Sequence, residues 1–376
     1  MKKNKIDIAK ILFLLSLFLI QFATFSVNVT FISDYSTKLI DFSLVMLIFC
    51  FFVTIFKQKF NFKTLLVMFI IGTVSFISFL ITNDSIMFQL FLIIICSLNI
   101  SFDDIIKNDL IFKIILLIFI YMMQLLGNVH IDIFFRAGEI RHAFGFSQPN
   151  TFGFFIISLF FEFLYLKKAK IKYIYVIILF ILCLYLLSMA SSRSSQISTC
   201  LFMLLYSIYY LKNSRVNEKM GTNLLNKRNN KVPIFVLKLL FLILTFISFY
   251  ITFEYITGDS TMDFINDILS NRVYLQSVFI DMYDINLLGN NIFYFETLDN
   301  VYIRTVLNFG VIAWFIYLYI YCSMISYANR KNDKLMLIII FVLLIYGLME
   351  WYIIRPAINI FLCYFSSILI LKKNIK

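Results

Sequence analysis

Apolar runs of about 15–23 residues recur along the whole chain, separated mostly by short polar connections, and this feature leaves few folds open. Roughly 20 apolar residues, rising 1.5 Å each in a helix, cross a hydrocarbon core about 30 Å thick. No water reaches the backbone there, so a spanning segment is either a helix or part of a closed barrel. The runs lack the alternation of barrel strands, which leaves the helix. The expected fold is therefore all-α, a polytopic integral membrane protein. Composition agrees: 14% of residues are charged and 61% are hydrophobic, whereas a soluble domain carries roughly 25% charged residues.

About twelve spans are expected, near 10–31, 39–56, 64–82, 86–100, 110–126, 152–166, 174–190, 195–211, 233–253, 301–327, 335–352 and 357–371. The first run follows Met1-Lys2-Lys3-Asn4-Lys5 as a secretory signal would. It is long and lacks an Ala-x-Ala-like cleavage site, so it reads as an uncleaved span. The net charge of +12 does not point to nucleic acid, because the lysines gather in alternate short connections, the positive-inside pattern. With both termini cytoplasmic, the inner segments hold Lys57, Lys59, Lys107, Lys167, Lys168, Lys331 and Lys334 among others. The chain is expected to be one transmembrane domain over 1–376, in a bacterial cytoplasmic membrane. It carries an outer loop at 127–151, an inner basic loop at 212–232 and an outer acidic loop at 254–300. The six cysteines fall inside apolar runs, so neither disulfides nor a thiolate metal site is indicated.

The basic residues differ between the two faces. The inner ones are mostly Lys, which suffices to set topology, whereas the outer ones are Lys38 and then Arg136, Arg141, Arg193, Arg272, Arg304 and Arg355. Arginine presents a planar fork of donors suited to phosphate oxygens. In the first outer loop, Arg141-His142-Ala143-Phe144-Gly145-Phe146 leads to Pro149-Asn150, which also reads as a helix start with Asn150 as cap. His130 and His142 share this loop with Asp132 and Glu139, but the spacing matches no metal-ligand pattern. Ser192-Arg193 sits in a tight outer connection between spans, where small hydroxyl neighbours let a phosphate come close. The second outer loop contains Arg272, Leu288-Gly289 and Asp299-Asn300-Val301-Tyr302, with Gly310 beyond. Asp299 lies at a helix start, where a plain N-cap carboxylate would look the same. Glu162 and Glu350 fall in spans near their ends, where a charge is tolerated cheaply, and Glu350 has Arg355 as a candidate partner.

These four patches, in this order, resemble the O-antigen polymerase (Wzy-type) and O-antigen ligase superfamily. The likeness covers roughly residues 130–315. It rests on Arg141 with Gly145, Phe146, Pro149 and Asn150, then on Ser192-Arg193, then on Arg272 with Leu288-Gly289. Last comes the Asp299-Asn300-x-Tyr302 box followed by Gly310. Asn290 and Asn291 stand where a second glycine is usual, Ala313 replaces another, and Asp299 stands in place of the ligase-type histidine, which favours polymerase.

The resemblance implies a metal-independent glycosyltransferase without cofactors, joining undecaprenyl-diphosphate-linked repeat units into capsular, exo- or O-antigen polysaccharide on the outer face. Arg141, Arg193 and Arg272, with Arg136 and Arg304 in reserve, would stabilise the leaving diphosphate. Asp299, or else His142, would act as base, with Asn150, Ser192, Gly289, Asn300 and Tyr302 in support. Expected partners are lipid-linked glycans, membrane lipid, a chain-length regulator and a flippase. The alternative class is a polysaccharide flippase or other twelve-helix secondary transporter. Transporters are usually marked by broken helices and midplane charges, whereas here the charges gather at the outer edge.

Overall fold

A computed structural model describes residues 7–58, 60–130, 134–136, 139–218, 231–258, 260–269, 271–292 and 298–370. The apolar runs become helices whose ends fall at polar or capping residues. In chain order, α1 (Ile8–Phe25), the short turn α2 (Thr30–Ser33), α3 (Ser36–Lys57) and α4 (Phe62–Thr82) come first. Then follow α5 (Ile86–Cys96) and α6 (Phe102–Leu125). The Asn61 side chain caps α4 and Ser101 caps α6, each accepting from a backbone N–H three residues on. A hairpin of β1 (Phe134–Arg136) and β2 (Glu139–Arg141) pairs antiparallel, with Arg136 opposite Glu139.

The second half comprises α7 (Pro149–Lys167), α8 (Tyr173–Met189), α9 (Arg193–Glu218) and α10 (Lys231–Ile256). Two helices, α11 (Ser260–Ile268) and α12 (Arg272–Met282), occupy the segment expected as an acidic loop. The chain then runs through α13 (Val301–Arg304), α14 (Val311–Arg330), α15 (Lys334–Tyr346), tight 3-10 turns and α16 (Ser366–Ile370).

Among the described residues six helices, within α1, α3, α4, α7, α10 and α14, are long and apolar enough to cross a membrane. The number is seven if α5 and α6, which meet at 118°, form one broken span. The fold is all-α and its helices are those of a membrane-embedded protein, but the expected count of about twelve exceeds what helix length supports. The surplus lies in apolar helices of shorter length, such as α8, and in runs interrupted by breaks. The run at 335–352 stops being α-helical at Tyr346, and the one at 357–371 winds through the 3-10 turn Ile360–Phe365 before α16. The run at 301–327 breaks at Gly310, whose φ is 90°. There the N–H groups of Val311 and Ile312 donate to the carbonyls of Asn286 and Leu287 (3.0 and 3.1 Å). Gly289, at φ 93°, packs directly on this backbone, so both glycines serve one interlock of two chain segments with no room for a Cβ.

Burial sorts the helices into a core and a lipid-facing shell. All of α5 except Phe88 is buried, as are most of α7 and the whole turn Ile360–Phe365. By contrast Phe49, Phe56, Phe69 and Phe246 are about two-thirds exposed or more, a surface suited to hydrocarbon rather than water. Lys10–Asp104 and Lys57–Asp7 pair at one end of the bundle. At the other end Val29 bridges Val129, and the Asn28 side chain donates to the Phe146 carbonyl (3.0 Å).

Candidate functional site

The end of the bundle opposite the lysine pairs gathers residues from five segments. Arg141 closes β2, and the chain beyond it is pinned by Phe146, fully buried against Phe25, Phe152 and Phe155. Pro149, with its fixed φ, opens α7 as its first residue. Asn150 is therefore inside the helix rather than its cap, the capping position being Gln148. This frees the Asn150 side chain, whose Oδ1 accepts from Arg141 Nη2 at 2.7 Å.

Arg193 is the first residue of α9 and is exposed in an open groove of about 530 Å³, beside Ile140, Ser188, Ser191 and Gln196. Ser192 turns inward and donates to Ser195 (2.9 Å), where Gly153 of α7 leaves space for both hydroxyls. Its role there is packing.

Arg272 opens α12 after Asn271, which adopts φ 63°. Its guanidinium reaches two acids: Nε donates to Asp299 Oδ2 (3.2 Å) and Nη2 to Glu350 Oε1 (2.5 Å). The Ser194 hydroxyl donates to the same Glu350 oxygen at 2.9 Å. The two acids come from chain segments tied together by the backbone. Val301 N donates to Gly347 O (2.9 Å), and Asn300 Nδ2 donates to Leu348 O (3.3 Å). Asn300 is also the true cap of α13, its Oδ1 accepting from Tyr302 and Ile303 N–H. Asp299 is thus not a cap, and its carboxylate is committed to Arg272.

Electrostatics couple these groups. Burial pushes the Glu350 carboxyl up to about 8, with Asp299 adding to the push while Arg272, Ser194 and Arg141 pull the other way. For Arg272, burial pulls the guanidinium down, but Glu350 and Asp299 outweigh it and hold it above its ordinary value. Burial draws Arg141 below its ordinary value; Glu350 and Asp299 oppose this, and Arg272 and Arg193 reinforce it. Arg141 Nε and Glu350 Oε2 are buried and have no hydrogen-bond partner. The buried part of the cluster thus holds one donor and one acceptor left unpaired.

The other expected residues lie elsewhere. His142 is exposed, with its ring near Phe144 (centroids 5.9 Å apart), and it bonds to no member of the cluster. The Arg136 side chain lies outside the described residues, though its backbone is in β1. Arg304 stacks on Trp351 at 3.5 Å from the ring centroid, and Arg355 also lies over that ring at 4.7 Å. Both arginines line a separate cavity of about 360 Å³ with Asp84 and Gln89. Arg355 is therefore not the partner of Glu350. Tyr302 is fully buried and donates to Leu344 O (2.6 Å), and Gly289 serves the backbone interlock; both are structural. Glu350 and Ser194 are the members that sequence reasoning passed over. The signal was present, since a carboxylate at the end of an apolar run needs a partner, but nothing in the sequence joined it to Arg272.

The class defined so far is a helical membrane protein with a partly buried arginine–carboxylate cluster at one end of its bundle. Comparison with known protein families, curated proteins and solved structures finds no match to this chain. Among the described residues no group of three or more His, Cys, Asp or Glu side chains is placed to hold a metal ion.

Proposed function

We propose that the chain is a membrane glycosyltransferase that joins undecaprenyl-diphosphate-linked repeat units into a surface polysaccharide. In this reading the helices and shorter apolar segments make about twelve crossings, with both termini cytoplasmic and the arginine cluster on the outer face. The observation that carries it is the pairing of Arg272 with Asp299 and Glu350 at the end away from the lysines, with Arg141 close enough to feel both acids and Arg193 close enough to act on Arg141.

The chemistry requires a bond from a sugar hydroxyl oxygen to the anomeric carbon of the growing glycan. The bond from that carbon to the diphosphate breaks, the hydroxyl proton passes to a carboxylate, and lipid diphosphate leaves. Arg141 and Arg193 are assigned to the diphosphate, because Arg193 is exposed and Arg141 keeps a buried donor without a partner. Arg272 is already held by two carboxylates, so its role is to position them. Asp299 is assigned as base, since it is the more exposed of the two (17% against 1%).

A second reading, a lipid-linked glycan transporter, is favoured by the 118° break between α5 and α6 and by charged side chains buried among α1, α6 and α7. Purified protein given lipid-linked repeats in detergent separates the two readings. Longer glycans on the lipid carrier support the polymerase. Their absence, with repeat units crossing the bilayer of proteoliposomes, overturns it.

A further inference from the structure

Far from the arginine cluster, three ionisable side chains are shut inside the bundle. Asp109 and Lys113 lie about two and three turns into α6, and Glu162 lies between one and two turns from the end of α7. All three have fully buried side chains. The Lys113 ammonium contacts Asp109 Oδ2 at 2.7 Å and Glu162 Oε1 as well. From α1, Gln21 Nε2 donates to Asp109 Oδ1 (2.5 Å) and to the Ala357 carbonyl (2.9 Å). The Cys363 thiol, from the turn Ile360–Phe365, is close enough to feel the Asp109 charge. The remaining charges on these elements, Lys10, Asp103, Asp104, Lys107 and Lys167, lie at the helix ends and are partly or fully exposed.

Two carboxylates and one ammonium leave a net negative charge with no solvent to stabilise it. A buried group in that position recovers neutrality by taking up a proton. The hydrogen-bond inventory points the same way. Gln21 Oε1 and Glu162 Oε2 are both buried without a donor, and a proton on a carboxyl oxygen would supply one. A metal cation would have to displace the Lys113 ammonium from between the carboxylates, whereas a proton needs no room. The site also adjoins a cavity. Ala357, whose carbonyl Gln21 holds, lines the cavity of Arg304 and Trp351, together with Ile20 and Thr24 of α1.

We propose that Asp109, Lys113 and Glu162, with Gln21, form a proton-binding site that holds one exchangeable proton on the carboxyl pair at neutral pH. The site is independent of the glycosyltransferase reading and belongs to either class of protein.

Infrared spectroscopy of purified protein in detergent tests it. Among the described residues Asp109, Glu162 and Glu350 are the fully buried carboxyls, so the measurement is made in the Glu350→Gln background. A carboxylic-acid C=O band is expected at neutral pH, shifted in D2O and lost in Glu162→Gln or Asp109→Asn. If no acid band is present, both carboxyls are ionised and the proposal is overturned, and this arm needs neither of the triad variants to fold. A band that survives in both folded variants also overturns it. The band should be the same in sodium and in choline chloride. If it appears only when sodium is removed, the site takes Na⁺ and the proton assignment fails.

Discussion

Arg272 and Glu350 meet at 2.5 Å, joining the first residue of α12 to the turn beyond α15 across 78 residues of sequence. With side chains 10% and 1% exposed, they form a hydrogen-bonded acid–guanidinium pair largely removed from water, which becomes an ion pair as pH rises through the Glu350 carboxyl's value of about 8. Such a pair contributes little net stability against an apolar replacement, but stripping it of one partner is expensive. Arg272→Met should therefore destabilise the protein by about 3–5 kcal/mol, and the double variant with Glu350→Gln should recover part of that. Thermal unfolding in detergent measures both. Additive losses would mean that the pair is not coupled.

Stability should also depend on pH through Glu350. Burial raises its carboxyl from the ordinary 4.5 to about 8. Between those values the folded state holds a proton that the unfolded state has lost, so raising the pH lowers stability. The contribution is complete below the unfolded value and is lost as pH rises through the folded one. The melting temperature should fall from about pH 5 to about pH 8, with a shallower slope in Glu350→Gln. Parallel slopes in the two proteins would assign the effect to another group.

Arg193 and Arg141 differ from Arg272 in having donors to offer a ligand. Arg193→Lys and Arg141→Lys keep the charge but lose the planar fork, so both proteins should fold and insert yet make little polymer. A loss of about 10²–10³-fold is the scale for removing one donor to a developing charge. Full-length polymer from both Lys variants would reduce these arginines to loop charges.

Asp299 and Asn300 can be separated by paired substitutions. Asn300 caps α13, so Asn300→Ala should cost about 1 kcal/mol in stability. Asp299 does not cap, so Asp299→Asn should lose only its partly exposed ion pair with Arg272 in the fold, and should lower the polymerisation rate by about 10²–10⁴-fold. Single repeat units should then accumulate on the lipid carrier. Near-normal polymer from Asp299→Asn would pass the role to Glu350.

Topology is open to labelling. Phe264 on α11 is exposed, and so is Lys212 near the far end of α9. With the exposed Cys200 changed to Ser, a cysteine at 264 should react with an impermeant reagent on intact cells. A cysteine at 212 should react only after permeabilisation. The reverse pattern would invert the orientation and place the arginine cluster in the cytoplasm.

By itself, the sequence determined the solvent and the class of fold. Long apolar runs can satisfy their backbone in lipid only as helices, and that requirement needs no knowledge of neighbours. It also singled out Arg141, Arg193 and Arg272 through the arginine bias of one face, and Asp299 through its place at a helix start and the resemblance of its motif. What the sequence could not supply was pairing. Glu350 looked like a neighbour of Arg355 because they are five residues apart, yet Arg355 stacks on Trp351 and Glu350 turns to Arg272. Asp299 read as a plain cap, yet the helix start takes the Asn300 amide as its cap and the Asp299 carboxylate turns to Arg272. Glu162 passed as an ordinary charge near a helix end until α6 brought Lys113 against it. Helix lengths escaped hydropathy for a similar reason, since the breaks at Gly310 and Tyr346 depend on backbone contacts. Hydropathy is a local property of the chain. Which charge neutralises which is decided by distance in three dimensions, and only the packed bundle sets those distances.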